Sequence, residues 1–600
     1  MLSSRARAWL TRLESGIAIA CLALISLFPI AEVVARRFRT GVPGSTDYIY
    51  HLVLWITFVG GMITSREDKH LSLSVGLELM QEPFRSWIQA FTSCLSTAVC
   101  ASLAWSSFYF IRVGIDASRS VGALPRQAVL MIMPVGFAVM CLRFVLRAPR
   151  GWVFKIIAAS GIGIAALLGY PLFDYTHLFV WPLSILLAAS AAVGTPIFVV
   201  LGGLAALLFL NTGGTIAVIP NEAYTMLTGP IIPTIPLFTL AGFILSESKA
   251  GERLVRLFRA LFGWLPGGLA IMTILICTFF TALTGASGVT ILALGGLLSF
   301  VLIQNKYEKD FATGLLTVNG IGSLFPPSLP IIMYGVVAQI NIKKMFVAVL
   351  IPCAIMVLGL VVLAVYTASR KKIQRIPFDA GEAGRSLKES FWEILIPAII
   401  LVSYFGGITT LVETGAVTVL YVTIVEVLIH RDMKAPEFAN AFLKSIPIMG
   451  GVLVILAVAK GLSYFIVDAE IPMKLAEWLQ AYISSKYVFL ILLNIALLII
   501  GCLMDVFSAI IVVVPLLIPL AHVYGINPIH LGIIFLANLE IGFLTPPVGI
   551  NLFLASYRFN MPLVRVYRDV IPFFLTMIAT LILITYVPVF STFLVEIFFP

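Results

Sequence analysis

The chain has 600 residues, of which 60% are hydrophobic and only 11% are charged. Soluble domains average about 45–50% apolar and about 25% charged residues, so this composition excludes a soluble enzyme, a disordered protein and a coiled coil. It predicts an all-α polytopic membrane protein, because lipid admits only helices and closed barrels and the apolar runs reach the length of a transmembrane helix. The net charge of +10 is carried by short basic clusters between apolar runs, which indicates membrane topology rather than nucleic-acid binding.

Four spans are predicted in residues 1–150, near 13–35, 47–65, 87–112 and 127–147. The first is interpreted as a retained helix, because no signal-peptide cleavage site follows it. We therefore predict a four-helix region at 1–150 and a joining transmembrane helix at 151–177. None of the seven cysteines forms a C-x-x-C pair, so neither a disulfide framework nor a zinc site is indicated.

The rest of the chain is richer in glycine and proline and is divided by a polar linker at 368–390 into segments 178–367 and 391–600. The linker is the longest charged stretch, and its excess of lysine and arginine predicts a cytoplasmic location. Before it, residues 249–264 form an amphipathic pattern, with Arg253, Arg256 and Arg259 opposite a leucine-rich stripe. This pattern predicts a helix that lies in the membrane interface.

An internal repeat relates the two segments. The stretch IGSLFPP at 321–327 returns as IGFLTPP at 541–547, with five of seven positions identical at an offset of 220. The same offset pairs Gly285 with Asp505 in polar interruptions of apolar stretches. Each segment therefore contains a polar break followed by a Pro-Pro break.

The Pro-Pro pairs are Pro326–Pro327 and Pro546–Pro547. Proline ends a helix because it lacks the N–H donor and clashes with the preceding turn. We predict a re-entrant helical hairpin at each pair, near 309–340 and 528–557. Unwound backbone persists in a membrane only where protein or a hydrated cavity satisfies it. Free carbonyls with nearby hydroxyls suit an alkali cation, and helix N-termini suit an anionic substrate.

A single Pro-Pro pair in a membrane helix is more often a kink than a binding hairpin. The matched pair with matched upstream breaks favours a secondary transporter instead. The sequence alone leaves the repeat parallel or inverted, although inversion is the common arrangement in transporters.

These motifs resemble the large (M-type) permease subunit of the tripartite ATP-independent periplasmic (TRAP) transporters. The matching stretches are PLFTLAG at 236–242, LPGGL at 265–269, FPPSLP at 325–330, Met504–Asp505 and LTPPVGINLF at 544–553. Residues 1–150 resemble the small (Q-type) subunit, so the chain resembles a fused permease over nearly its whole length.

The resemblance implies sodium-coupled import of an organic acid, such as a C4-dicarboxylate or sialic acid, that a separate periplasmic substrate-binding protein delivers. It also implies an elevator mechanism, a multi-pass location in the bacterial inner membrane, and sodium as the coupling ion with no other cofactor. The expected partners are the binding protein, the organic acid and the lipid bilayer, without nucleic acid.

Motif matches assign sodium or substrate binding to ten residues, which are Thr284, Gly285, Ser287, Gly322, Ser323, Ser328, Asp505, Ser508, Gly542 and Thr545. An ionisable residue within a membrane is costly and is a functional candidate by default; the alternative for Asp505 is a carboxylate that caps a broken helix. Lys460 and Glu540 are charge partners in this prediction, although Lys460 could instead extend towards the interface. Where the family often has small hydroxyl residues, this chain has Val506 and Phe507, which leaves the number of sodium sites open.

The sequence contains no H-E-x-x-H, G-x-S-x-G or P-loop motif, so we do not predict an enzyme. The alternative function is a proton- or cation-antiporter-like subunit of a respiratory complex. That class needs a regular series of mid-helix charges, and Lys460, Asp505 and Glu540 do not form one.

Overall fold

The computed structural model describes residues 4–68, 70, 72, 80–82, 84–116, 118–169, 175–285, 287–371, 373, 375–546 and 549–599. The only strands in these ranges are two strands of two residues each, which pair as an antiparallel hairpin. Twelve helices of the described chain are long and apolar enough to cross a membrane. The predicted all-α polytopic fold is therefore confirmed.

The helices and strands are numbered in chain order. The first part contains α1 (Ser4–Arg37), α2 (Ser45–Glu67), α3 (Phe84–Gly114), β1 (Ser120–Val121), β2 (Leu124–Pro125), α4 (Arg126–Leu130), α5 (Ile132–Arg147), α6 (Trp152–Gly169), α7 (Thr176–Ala191), α8 (Ile197–Asn211), α9 (Val218–Leu227), α10 (Thr234–Glu247) and α11 (Ala250–Phe262). The middle contains α12 (Gly268–Thr284), α13 (Ser287–Gln304), α14 (Lys309–Thr317), a 3-10 helix (Asn319–Leu324), α15 (Leu329–Val337), α16 (Ile342–Ala348), α17 (Leu350–Arg370), α18 (Ala380–Glu389) and α19 (Phe391–Phe405). The last part contains α20 (Leu411–Thr423), a π-helix (Ile424–Ile429), α21 (Ala435–Asp468), α22 (Ile471–Tyr482), α23 (Lys486–Leu503), α24 (Val506–Val523), α25 (Pro528–Gly542), α26 (Ile550–Phe559), α27 (Leu563–Tyr586) and α28 (Val589–Phe598).

The chain forms two compact units. Unit 1 comprises residues 1–237, 411–416 and 439–471, and unit 2 comprises residues 238–410, 417–438 and 472–600. Unit 1 contains the four spans predicted for 1–150, which correspond to α1, α2, α3 and the pair α4–α5. It continues well past residue 150 and also contains α6, the predicted joining helix.

Close backbone approaches hold the helices of unit 1 together. Helix α6 packs along α3, and a Cβ atom at Gly161 would lie 2.9 Å from the backbone nitrogen of Ala98. Helices α2 and α21 approach equally closely, since a Cβ atom at Gly60 would lie 2.8 Å from the Cα atom of Gly450. Glycine is needed at these crossings because any side chain would separate the two backbones.

In unit 2, both predicted polar breaks are confirmed at the expected offset. Helix α12 ends at Thr284 and α13 begins at Ser287, while α23 ends at Leu503 and α24 begins at Val506. Both Pro-Pro segments also interrupt helices, between the 3-10 helix and α15 and between α25 and α26.

The first Pro-Pro break is strongly bent. The helical segments 309–324 and 329–337 are bent by 45° at the break. Such a bend is compatible with a broken span and with a re-entrant loop, so the hairpin predicted near 309–340 stays a prediction. Proline ends the first segment, but it does not determine the direction of the next. The hairpin predicted near 528–557 also stays a prediction.

One of two polar segments in unit 2 is more ordered than its sequence suggested. The predicted linker contains helix α18, whose first turn is capped by Asp379 accepting from the backbone N–H groups of Gly381 (2.8 Å) and Glu382 (3.2 Å). The amphipathic segment forms α11 as predicted. However, Arg253 does not belong to the solvated face of that helix, because its side chain is buried.

Candidate functional site

At the first polar break, a glycine follows the end of one helix and a serine begins the next. Gly285 has a φ of 71° and closes α12 through a 2.8 Å hydrogen bond from its N–H to the carbonyl of Thr281. Left-handed backbone favours glycine, which explains why Gly285 stands here. Thr284 is buried and donates to the carbonyl of Phe280 at 3.0 Å. Ser287 begins α13 on the other side of the break.

The second polar break is built on an aspartate instead. Asp505 is the N-cap of α24 and accepts from the backbone N–H groups of Phe507 (3.0 Å) and Ser508 (3.1 Å). The Ser508 hydroxyl also donates to Asp505, at 2.5 Å. The two equivalent breaks therefore use opposite devices, a C-terminal glycine in one repeat and an N-terminal aspartate in the other.

Before the first Pro-Pro pair, the 3-10 helix approaches α12 at Gly322. A Cβ atom at Gly322 would collide with the carbonyl oxygen of Thr278, so the two backbones meet only because this residue is glycine. Ser328, the N-cap of α15, donates its hydroxyl to the carbonyl of Ser323 across the prolines. The Pro326–Pro327 peptide bond is cis.

The second Pro-Pro segment follows a similar close contact. A Cβ atom at Gly542 would lie 2.6 Å from the Cα atom of Gly501 at the end of α23. Thr545 donates its hydroxyl to the carbonyl of Ile541 at 3.0 Å. Pro546 belongs to the described residues, whereas Pro547 lies outside them.

Beside the helix breaks, two side-chain hydrogen bonds connect predicted site residues of one repeat to the other repeat within unit 2. Ser323 of the first repeat donates its hydroxyl to Glu540 of the second. Ser287 donates to the Oδ1 atom of Asn551 at 2.9 Å. Both bonds connect residues more than 200 positions apart, and each involves a residue predicted for the site.

Sequence reasoning missed Asn551 and Asn319. Asn551 is 1% exposed and lies inside the quoted motif LTPPVGINLF, so the motif contained its signal. Asn319 is 2% exposed and begins the 3-10 helix, where its carbonyl accepts from Thr281 at 3.3 Å. An asparagine lies two residues before the Ile-Gly pair of the first repeat, at Asn319, and three residues before that of the second, at Asn538; this approximate recurrence was the available signal.

Several buried polar atoms near these bonds have no hydrogen-bond partner among the described residues. They are Oε2 of Glu540, Nδ2 of Asn551, both side-chain amide atoms of Asn319, and the hydroxyl of Thr278. A Cβ atom at Gly320 would contact Oε2 of Glu540 and lie 3.3 Å from Nδ2 of Asn551, so those two atoms lie on one side of the 3-10 helix. Unsatisfied buried groups are rare, and a cluster of them indicates a ligand or ordered water.

The two predicted charge partners lie in different units. Glu540 is in unit 2 and Lys460 is in unit 1. Glu540 is 3% exposed and forms no ion pair among the described residues. Pairing of Lys460 with Asp505 or Glu540 therefore stays a prediction. In the described part of the chain, no three histidine, cysteine, aspartate or glutamate side chains are placed to hold a metal ion.

This fold and this site define a multi-pass helical membrane protein whose two repeats each contain paired helix breaks, an arrangement typical of secondary transporters. Residues 184–590 match the family of the tripartite ATP-independent periplasmic transporter DctM component, and residues 25–154 match the DctQ component. The chain belongs to the TRAP transporter family, as a permease in which the Q-type and M-type components are fused, and it is a multi-pass inner-membrane protein.

Relatives with established names agree with this assignment. The isethionate TRAP transporter permease protein DctMQ of Oleidesulfovibrio alaskensis is 31% identical over 90% of this chain and 87% of its own length. The C4-dicarboxylate TRAP transporter large permease protein DctM of Vibrio cholerae is 32% identical over 69% of this chain and 96% of its own. The sialic acid TRAP transporter permease protein SiaT of Haemophilus influenzae is 26% identical over 95% of this chain and 96% of its own. All three are named as transporter permeases and none as an enzyme.

Proposed function

We propose that this chain imports a small organic acid, delivered by a periplasmic substrate-binding protein, and that a sodium gradient drives the import by an elevator mechanism. The observation that carries the proposal is the pair of bonds Ser323–Glu540 and Ser287–Asn551. Through them, side chains at or beside the helix breaks of one repeat are held by side chains of the other. A site shared by two repeats is the arrangement expected of a secondary transporter.

The orientation of the hydroxyl groups supports a cation at this site. Ser287, Ser323 and Ser328 each donate their hydrogen to a protein acceptor. Their oxygen lone pairs are therefore left for a positively charged ligand. Thr284 and Thr545 are oriented in the same sense by bonds within the helix, although such bonds are common for threonine in any helix. Hydroxyl and carbonyl oxygens are the ligands that suit a hard cation such as sodium.

The substrate class follows from the named relatives and from the helix termini. The three relatives are named for isethionate, C4-dicarboxylate and sialic acid. All three compounds are organic anions, one a sulfonate and the others carboxylates. The N-termini of α13 and α24 begin at the two polar breaks, and helix N-termini favour negative charge. We therefore propose an organic acid anion rather than a carboxylate in particular.

The division of the chain supports the elevator mechanism. All the site residues proposed here except Lys460 belong to unit 2, which is compact by its own contacts. A mechanism in which the site moves as one body needs the site residues to share one body. Unit 1 contains the Q-type region and α21, and we propose it as the scaffold.

The test is uptake of a radiolabelled organic acid into proteoliposomes that contain the purified full-length chain and its cognate binding protein. Accumulation is expected when sodium is high outside. It is expected to vanish without the sodium gradient or without the binding protein. Accumulation driven by a proton gradient in the absence of sodium would overturn the sodium assignment and favour the antiporter-like alternative.

A further inference from the structure

A second buried charged cluster lies in unit 2, on elements that carry none of the predicted transport residues. Arg253 of α11 is its centre. The guanidinium contacts Glu393 of α19 (Nε–Oε1, 2.5 Å), Asp432 (Nη1–Oδ2, 2.5 Å) and Glu426 of the π-helix (Nη2–Oε2, 2.8 Å). One arginine therefore joins α11, α19 and the π-helix with the loop that follows it, all within unit 2.

The charges of this cluster do not balance. Three carboxylates surround one guanidinium, which leaves two negative charges uncompensated. The side chains of Glu393 and Glu426 are 0% exposed, that of Arg253 is 7% exposed and that of Asp432 is 10% exposed. Among the described residues, no second lysine or arginine forms an ion pair with these carboxylates. An uncompensated buried charge is strongly destabilising, so the cluster needs a further positive charge.

Arginine cannot change its own charge to meet that need, and it stays positive throughout. Burial acts to lower the pKa of Arg253, but the hydrogen bond with Asp432 and the charges of Glu426 and Glu393 outweigh burial and raise the pKa above its usual value. The compensating charge must therefore come from a group or ligand other than Arg253.

Two buried carboxylate oxygens of the cluster have no hydrogen-bond partner among the described residues. They are Oε2 of Glu393 and Oε1 of Glu426. The Nε2 atom of His430 is 3.5 Å from Oε1 of Glu393 and is also without a hydrogen bond. These three atoms belong to separate side chains, and no three metal-ligating side chains among the described residues are placed to hold a metal ion. The geometry therefore suits a proton better than a metal ion.

We propose that the Arg253 cluster is a buried proton-binding site, in which Glu426 holds an exchangeable proton beside Glu393 and His430. The proton offsets part of the surplus negative charge and so keeps the π-helix attached to α11 and α19. π-helical turns are rare in proteins, and those that do occur are often found at functional sites. Further titratable residues beside the cluster include Asp432, which shares Arg253, Tyr421, whose hydroxyl donates to the carbonyl of Trp392, and Lys249, whose backbone N–H donates to Asp432 at 3.1 Å. This site does not depend on the proposed transport function.

The test compares the thermal stability of the purified full-length chain and of Glu426→Gln between mildly acidic and mildly alkaline pH. A folded state that holds a proton the unfolded state has lost becomes less stable as pH rises. The wild-type melting temperature is therefore expected to fall with pH. Glu426→Gln removes one of the surplus charges, so it is expected to lose this part of the pH dependence and to exceed the wild type at alkaline pH.

The matched control is Glu596→Gln, which changes an exposed glutamate and is expected to keep the wild-type slope. If Glu426→Gln instead melts below the wild type by the same amount at every pH, the cluster is an ordinary ion-pair network and the proposal is wrong. If Glu426→Gln does not fold, Asp432→Asn removes the same charge from the least buried carboxylate and is held to the same outcomes. The wild type is also expected to show an infrared band of a protonated carboxyl group. This band should be lost in the folded cluster variant and kept in Glu596→Gln.

Discussion

Asp505 has the geometry of a structural cap and the position of a functional carboxylate. It accepts two backbone N–H groups and the Ser508 hydroxyl at the start of α24. This geometry is the alternative that the sequence left open for Asp505. A satisfied cap and a coupling residue are not exclusive, because carboxylate oxygens that accept these bonds still have lone pairs for a cation. A variant that removes the carboxylate but keeps the capping hydrogen bonds separates the two roles.

We predict that Asp505→Asn keeps the fold and loses sodium-coupled uptake, while Asp505→Ala loses both uptake and stability. Asparagine is as good an N-cap as aspartate, whereas alanine costs about 0.5–2 kcal/mol at this position. Melting temperature and proteoliposome uptake are measured for both variants. Full uptake by Asp505→Asn would show that only capping matters, and would remove Asp505 from the proposed site.

Asn551 is the residue that fixes the direction of the Ser287 hydroxyl. Because Ser287 donates to Oδ1 of Asn551, the serine oxygen presents its lone pairs away from the amide. We predict that Asn551→Ala raises the sodium concentration needed for half-maximal uptake and costs about 1–3 kcal/mol of stability, since the buried hydroxyl loses its acceptor. Asn551→Asp keeps an acceptor and is expected to restore most of the sodium affinity.

The control for this prediction is Asn221→Ala, which changes an exposed asparagine in unit 1 and is expected to leave uptake unchanged. Sodium dependence is measured at saturating substrate and binding protein, so that a change in substrate affinity does not enter. An unchanged sodium dependence in Asn551→Ala would separate Ser287 from the sodium site.

At the scale of elements, the sequence predicted the positions of the helix breaks better than the bend and the contacts at each break. Glycine, aspartate and proline act on their own backbone, so the offset of 220 correctly located the interruptions near Gly285 and Asp505. The bend of 45° at the first Pro-Pro pair was not predictable, because it depends on what α15 packs against. The Ser287–Asn551 bond joins residues 264 positions apart, and a single polar residue at that distance leaves no periodic signal.

Helix α6 provides an element-scale prediction with its control on the same helix. Gly161 faces α3, where a Cβ atom would collide with the carbonyl of Cys94, whereas Gly163 has no atom within 4 Å of a Cβ position. We predict that Gly161→Leu destabilises the chain by about 1–3 kcal/mol or more, the usual cost of overpacking. Gly163→Leu is expected to be neutral, because its side chain meets no protein atom. Equal melting temperatures for the two variants would contradict the packing of α6 on α3.

At the scale of the whole molecule, composition correctly predicted a polytopic helical membrane protein. The arginines of the clusters also have structural roles that composition does not reveal. Glu14 of α1 pairs with Arg66 of α2 and with Arg143 of α5, so one acidic residue ties three helices of unit 1. Periodicity similarly placed Arg253 on the polar face opposite the leucine-rich stripe. In the structure its side chain is buried, because three carboxylates from elsewhere in unit 2 surround it. Periodicity describes one helix and cannot anticipate partners on others.

The placement of the polar linker in the cytoplasm follows from the positive-inside rule and is testable by cysteine labelling. All seven native cysteines are buried, so the unmodified chain is expected to react weakly with a membrane-impermeant thiol reagent.

Lys388 of the linker and Arg119 of the loop between α3 and β1 are both exposed. By the same rule, the basic clusters at the ends of α2 and α5 predict that the loop with Arg119 is periplasmic. We predict that Lys388→Cys is labelled only after the membrane is opened, whereas Arg119→Cys is labelled in intact spheroplasts. Labelling of Lys388→Cys in intact spheroplasts would reverse the topology, and the linker would then face the side from which the binding protein approaches.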